Sequence, residues 1–249
     1  MIPPAIFKNS KYTQVLLYYF YSIAHMDLTS ELLLKFPATQ ISTLKNFKKR
    51  RITIHPQAYG FNLCYLNMFK NLTADLDISN HIKELHVWKT SEFDGYSIFN
   101  NIHLYLSYLK QDINEVTLII HHQQSFSEDE LAFLMELCSR EFIQFIKSTK
   151  FDIRSLNPRK TLHLINTHLS RQTLLTLNKE SSLKPHHQMS LELLAQLLSC
   201  SRNQLNQRTK NIKQQRTHIF NELSLNSRCV KELVDHSDSC ISTEKIWRS

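Results

Sequence analysis

Residues 202–214 read Arg-Asn-Gln-Leu-Asn-Gln-Arg-Thr-Lys-Asn-Ile-Lys-Gln, so nearly every side chain in the run donates or accepts hydrogen bonds. The amides of Asn and Gln match the donor and acceptor edge of adenine, and Arg and Lys match guanine or a phosphate oxygen. Arg202, Asn203, Gln204, Asn206, Gln207, Arg208, Lys210, Asn211 and Lys213 are therefore candidate DNA-contacting residues. The chemistry they offer is recognition, with no bond made or broken.

Such a set works only if a rigid element presents it, and the preceding residues supply one. Ser190 is placed to cap a helix whose Leu194, Ala195 and Leu198 share a buried face. "SCS", residues 199–201, is small enough to turn a corner. A second helix then starts near Arg202, with Leu205, Thr209 and Ile212 facing inward. A supporting helix, a tight corner and a polar second helix form the helix-turn-helix pattern, in which the second helix enters the major groove. Between Ser190 and Lys231 there are seven Arg or Lys against two acids, much of the whole chain's formal charge of +8. The alternative is an ordinary packed helix pair with a polar exposed face. The protein would then be a ligand-binding or protein-interaction module without DNA binding.

Other chemistries find little support. Gly60 and Gly95 are the only glycines in 249 residues, so a glycine-rich phosphate loop is excluded and no nucleotide cofactor is expected. Thirteen histidines include pairs at 121–122 and 186–187, but adjacent residues on a strand point to opposite faces and cannot chelate together. No metal site is expected. Cys64 and Cys138 sit in apolar runs that suit inert packing, and the acids at 128–130 read as a helix start, so no enzyme activity is expected. Five scattered cysteines suggest a reducing compartment. The apolar run Val15 to Ala24 is too short for a span, which needs about 20 residues. It is not followed by a cleavage site, so a cytoplasmic protein without membrane contact is expected.

Upstream, apolar residues recur at helical spacing from Lys11 to Phe36. The basic cluster "KNFKKRR", 45–51, reads either as a solvated segment or as a phosphate-contacting patch. "ITIH", "FNLCYLNMF", "IHLYLSYL" and "EVTLIIHH" have strand composition, which predicts an antiparallel sheet between about 52 and 122, with helical material near 77–90. Ser127 and Glu130 form a capping box ahead of a long helix whose Phe133, Leu134, Leu137, Phe142, Phe145 and Ile146 make an apolar stripe. The expected class is α+β: an antiparallel-sheet, sensor-like domain flanked by helices (1–155), followed by a small all-α helix-turn-helix domain (156–249).

The C-terminal motifs also resemble a known family. "LSRQTLLTL" (169–177) is similar to the opening helix of the DNA-binding domain of LuxR-type transcriptional regulators, with Gln172 and Thr173 where Arg and Glu are usual. "LLAQLLSCS" matches that family's supporting helix at Leu194, Ala195, Leu198 and Ser201, and "QLNQRTKNI" keeps Leu205, Asn211 and Ile212 of its recognition helix. "LSLNSRCVKELVDHS" (223–237) resembles the closing helix that commonly supplies dimer contacts. The segment 178–188 is longer than the family's turn. The resemblance implies a bacterial regulator that binds double-stranded DNA as a homodimer. It also implies an N-terminal autoinducer-type or PAS-like domain that could take a small-molecule ligand. Tyr65, Trp88 and Tyr96 are the pocket candidates there, with core packing as the competing reading.

Overall fold

The computed structural model describes residues 28–45, 52–74, 76, 83–89, 95–111, 113–123, 125–181, 183–184 and 186–224. The expected helix from Lys11 lies outside these residues except at its end, α1 (Leu28–Lys35), and the basic cluster lies outside beyond Lys45.

Five strands form one sheet in the order β1-β5-β3-β4-β2, with β1 Gln40–Lys45, β2 Ile52–Ile54, β3 Glu84–Lys89, β4 Tyr96–Ile98 and β5 Glu115–His122. The sheet is mixed, which corrects the antiparallel expectation. β5 pairs antiparallel with β1 (Gln40 opposite Ile120) and parallel with β3 (Trp88 opposite His121). β4 is antiparallel to β3 and parallel to β2. Parallel neighbours need a long crossover, and two of the apolar runs expected as strands serve that purpose as helices.

The first is α2 (Tyr59–Phe69), reached through a 3-10 turn at Pro56–Ala58. Its Phe61, Cys64, Tyr65 and Met68 are buried at spacings of three and four, the helical period, which wins over β propensity. The second is α3 (Ile102–Lys110), which buries Ile102, Ser107 and Tyr108 on one side. The converse correction falls at 84–89, where a strand stands in place of expected helix. Its inner four residues are all buried, because β3 is covered on both faces and shows no polar alternation.

The long helix α4 (Glu128–Ser148) starts at the anticipated capping box: Ser127 accepts from the Glu130 amide, and the Glu130 carboxylate accepts from Ser127 N–H at 2.8 Å. Leu134, Leu137, Phe142, Phe145 and Ile146 are buried as their spacing requires. Then follow α5 (Pro158–His168), α6 (Arg171–Glu180), α7 (Leu191–Leu197) and α8 (Arg202–Ser224).

These four helices pack directly on the preceding ones. Asn67 of α2 donates to the Thr161 hydroxyl of α5 at 2.9 Å, and Gly60 lies so close to α5 that a Cβ there would fall 2.3 Å from His168 Nδ1. The Ser170 amide donates to Ser139 of α4 at 2.8 Å, and its hydroxyl binds Glu136. One apolar cluster runs from Leu32 through the sheet and α4 to Leu193, Leu194 and Leu205. No helix among the described residues is long and apolar enough to cross a membrane.

Candidate nucleic-acid interface

α7 begins where Ser190 Oγ accepts from Leu193 N–H at 3.1 Å, and it buries Leu193, Leu194, Ala195 and Leu197. Its exit is a closed hydrogen-bonded corner. Cys200 N–H donates to Ala195 O at 2.9 Å and Ser199 N–H to Gln196 O at 3.1 Å, the reciprocal pair that ends many helices with a left-handed residue. Ser199 holds that conformation, with φ 52°, at the position glycine usually takes. The Ala195 and Gln196 carbonyls are thereby satisfied, and the chain direction is fixed before α8 begins.

α8 is capped in turn. Ser201 Oγ accepts from Gln204 N–H at 3.2 Å, and Gln204 Oε1 accepts from Ser201 N–H at 2.8 Å, a second capping box with Gln at the third helical position. Leu205 is fully buried and anchors the helix on α7. Thr209 and Ile212 are half-buried below it on the expected face. Asn203, Asn206, Gln207, Lys210, Asn211 and Lys213 are all exposed. Residues three, four and seven apart share a helix face, so Asn203, Asn206, Gln207, Lys210, Asn211 and Lys213 form one polar stripe. Gln207 donates to Asn211 at 3.1 Å within it. At 23 residues α8 is about 34 Å long, with 1.5 Å of rise per residue.

Three candidates depart from a free reading face. Gln204 is exposed, yet its carbonyl oxygen is committed to the cap. Arg208 is half-buried and turned inward, with Nε donating to Leu156 O at 3.0 Å, which ties α8 to the segment before α5. Arg202 faces Glu192 of α7 at 3.9 Å across an exposed pair. The closing helix of the resemblance lies outside the described residues beyond Ser224.

The ligand candidates are placed apart. Tyr65, 1% exposed, packs edge-on against Phe142 and Phe145 and stacks on His103. Trp88, fully buried, meets Phe36 and Phe99 edge-on and stacks on His121. Tyr96 is half-buried on β4. The structure gathers Tyr65 and Trp88 into the core, which favours the packing reading. Both keep a polar atom, Tyr65 Oη and Trp88 Nε1, that is buried without a hydrogen-bond partner among the described residues.

Two buried polar arrangements were not anticipated. His86 and His121, on neighbouring parallel strands, meet at 3.0 Å. Burial drives both toward the neutral form, His121 down to about 4 and His86 well below the usual histidine range, where the neighbouring His121 adds to the effect. His122, the last residue of β5, is exposed. No cluster of three or more metal-ligating side chains occurs among the described residues. The second arrangement is Glu141 of α4, 8% exposed, whose carboxylate accepts from the Asn101 amide at 2.9 Å and from Asn100 Nδ2 at 3.3 Å. Desolvation pushes it up to about 7 against the opposing effect of those bonds and of Arg140. Its position within the stripe, four residues from Leu137 and from Phe145, was the available signal.

Cys64 and Cys138 are buried, and loss of solvation raises both thiols, Cys64 to about 12. No protein-family model, curated protein or solved structure matches the chain.

Proposed function

We propose that the protein is a DNA-binding transcriptional regulator of LuxR type. It acts as a homodimer in the cytoplasm, with residues 1–155 as the sensor and dimerisation part and residues 156–249 as the reading part. The observation that carries this reading is the polar stripe of α8, held outward by a capped, closed corner and a single buried leucine. A helix presented on a rigid support can enter the major groove while its Asn and Gln amides address bases and Lys210 and Lys213 address phosphates. Arg208 serves as the brace that holds α8 against the body, and the groove-facing set narrows to Asn203, Asn206, Gln207, Lys210, Asn211 and Lys213.

Titration of the full-length protein onto labelled duplex DNA at two salt concentrations tests the proposal. Neutralised phosphates make log K fall with log salt by about 0.9 per contact, so binding should weaken steeply as salt rises. Asn206→Ala with Lys210→Ala should lower affinity at least about tenfold, since each lost base-directed pair is worth about 1–3 kcal/mol, with the unfolding midpoint unchanged. Unaltered DNA affinity in that double variant would sink the assignment.

A further inference from the structure

A cleft of about 250 Å³ opens between α4 and α6, at the junction of the sheet-bearing part and the C-terminal helices. Arg140, Ile143 and Lys147 of α4 form one wall, and Thr173, Leu177 and Glu180 of α6 form the other. Its apolar floor is Ile143 and Leu177, both at most 5% exposed. Two of the residues lining it carry a polar atom that is shielded from water and has no hydrogen-bond partner among the described residues: Thr173 Oγ1, in a residue 6% exposed, and Arg140 Nε. The terminal nitrogens of Arg140 are both taken by Glu31. Glu136 at the cleft is taken by Ser170.

A buried donor without an acceptor is unfavourable, and a ligand oxygen would relieve both through one turn of the Thr173 rotamer and a swing of the one-third-exposed Arg140. A simple anion is opposed by the carboxylates already around Arg140, which include Glu31 and Glu136. A molecule carrying both charges fits better. Its carboxylate would meet Arg140, Thr173 and Lys147, its ammonium would meet Glu180, and its hydrocarbon would rest on Ile143 and Leu177.

We infer that this cleft is a binding site for an aliphatic α-amino acid. Occupation braces α6 against α4. α6 in turn holds the segment leading to α7, since Asn178 Nδ2 donates to His186 O at 2.9 Å and Gln188 O at 3.0 Å. The bound amino acid therefore adjusts the seating of α8, and this last step rests on the DNA-binding reading above.

Calorimetric titration of the full-length protein, without DNA, with L-leucine, N-acetyl-leucine and leucinamide tests the site by itself. L-Leucine should bind saturably. The two blocked forms should bind at least about tenfold more weakly, because each leaves one charge of the site unmatched. Thr173→Val should weaken L-leucine by about tenfold, the factor that follows from losing about 1.4 kcal/mol. Thr176→Trp, an exposed position on the same wall, should fill the cleft and abolish binding without lowering the unfolding midpoint. Absence of saturable binding at tens of millimolar overturns the site, as does binding unchanged in Thr176→Trp or equal affinity for N-acetyl-leucine. DNA affinity measured with and without saturating L-leucine then judges the coupling, and a value that does not move overturns it.

Discussion

Replacing Glu141 by Gln should make the protein more stable at pH 8 and much less so at pH 5. The carboxyl is buried and shifts from its ordinary 4.5 up to about 7 on folding. The folded state therefore binds the proton more tightly than the unfolded chain. Stability from this group is fully present below pH 4.5 and is lost as pH rises through 7. A shift from 4.5 to about 7, at about 1.36 kcal/mol per pH unit, amounts to about 3 kcal/mol. The Gln side chain keeps the shape and cannot ionise. Its oxygen can still accept from the Asn101 amide, and its nitrogen can donate to Asn100 Oδ1, an atom now buried without a partner among the described residues, once the Asn100 amide turns over.

Urea unfolding followed by far-ultraviolet circular dichroism at pH 5, 6, 7 and 8 measures the effect. The buried histidines contribute a slope of opposite sign: their folded values are depressed, so they lose stability as pH falls, and they do so equally in both proteins. The difference between variant and wild type therefore isolates Glu141. It should grow from somewhat under about 1 kcal/mol at pH 5, already half a pH unit above the unfolded value, to about 3 kcal/mol at pH 8. Parallel curves, or a variant less stable than wild type at pH 8, would show that the amides at the start of α3 and Arg140 outweigh the burial of the charge.

Ser199→Gly should raise stability by about 0.5–1 kcal/mol, since a left-handed residue with a side chain costs about 1–2 kcal/mol and glycine returns part of that through its looser unfolded chain. Ser199→Val should instead lower stability and DNA affinity together. Denaturation midpoints alongside DNA titrations check both, and a stabilising Val would remove the corner from the account. Gly60→Ala should cost about 1–3 kcal/mol by overpacking, because the new Cβ collides with the His168 ring. In a His168→Ala background the same change should become neutral or favourable, as Ala outranks Gly in a helix. A double-mutant cycle in urea reads this directly, and additive effects would mean that α2 and α5 are not in close contact there.

The parts of the fold legible in the sequence are those where local chemistry and burial agree. Ser127 and Glu130, Ser190, and the start of α8 at Arg202 each pair a capping residue with an apolar stripe, and such signals hold within a few residues of chain. The sheet was less legible. Phe61 to Phe69 and Ile102 to Leu109 have the aromatic and branched composition of strands. Their helical spacing emerges only when the buried residues are known, because in a layered fold a crossover helix is apolar over much of its surface. Val87 and Trp88 were obscured for the reverse reason, since a strand buried on both faces loses its alternation. Within the interface, the stripe on α8 follows from spacing alone. The inward turn of Arg208 depends on the Leu156 carbonyl, 52 residues earlier, and no local pattern encodes it. Glu141 carries no local signal beyond being a polar residue within an apolar stripe, because the Asn100 and Asn101 groups it accepts from lie 41 and 40 residues earlier.

The place of β5 between β1 and β3 also governs how the chain acquires its shape during synthesis. β1 pairs only with β5 among the described strands, and β3 needs β5 along its parallel edge. Until residue 122 has left the ribosome, two strands made before it wait with open edges, and ordering β1 means closing the chain from Lys45 to Glu115, more than 60 residues. Pairings so distant in sequence slow folding and leave edges exposed to other chains. The waiting period should be the most aggregation-prone moment in the life of this protein, and the strand that ends it is the last translated of the five described.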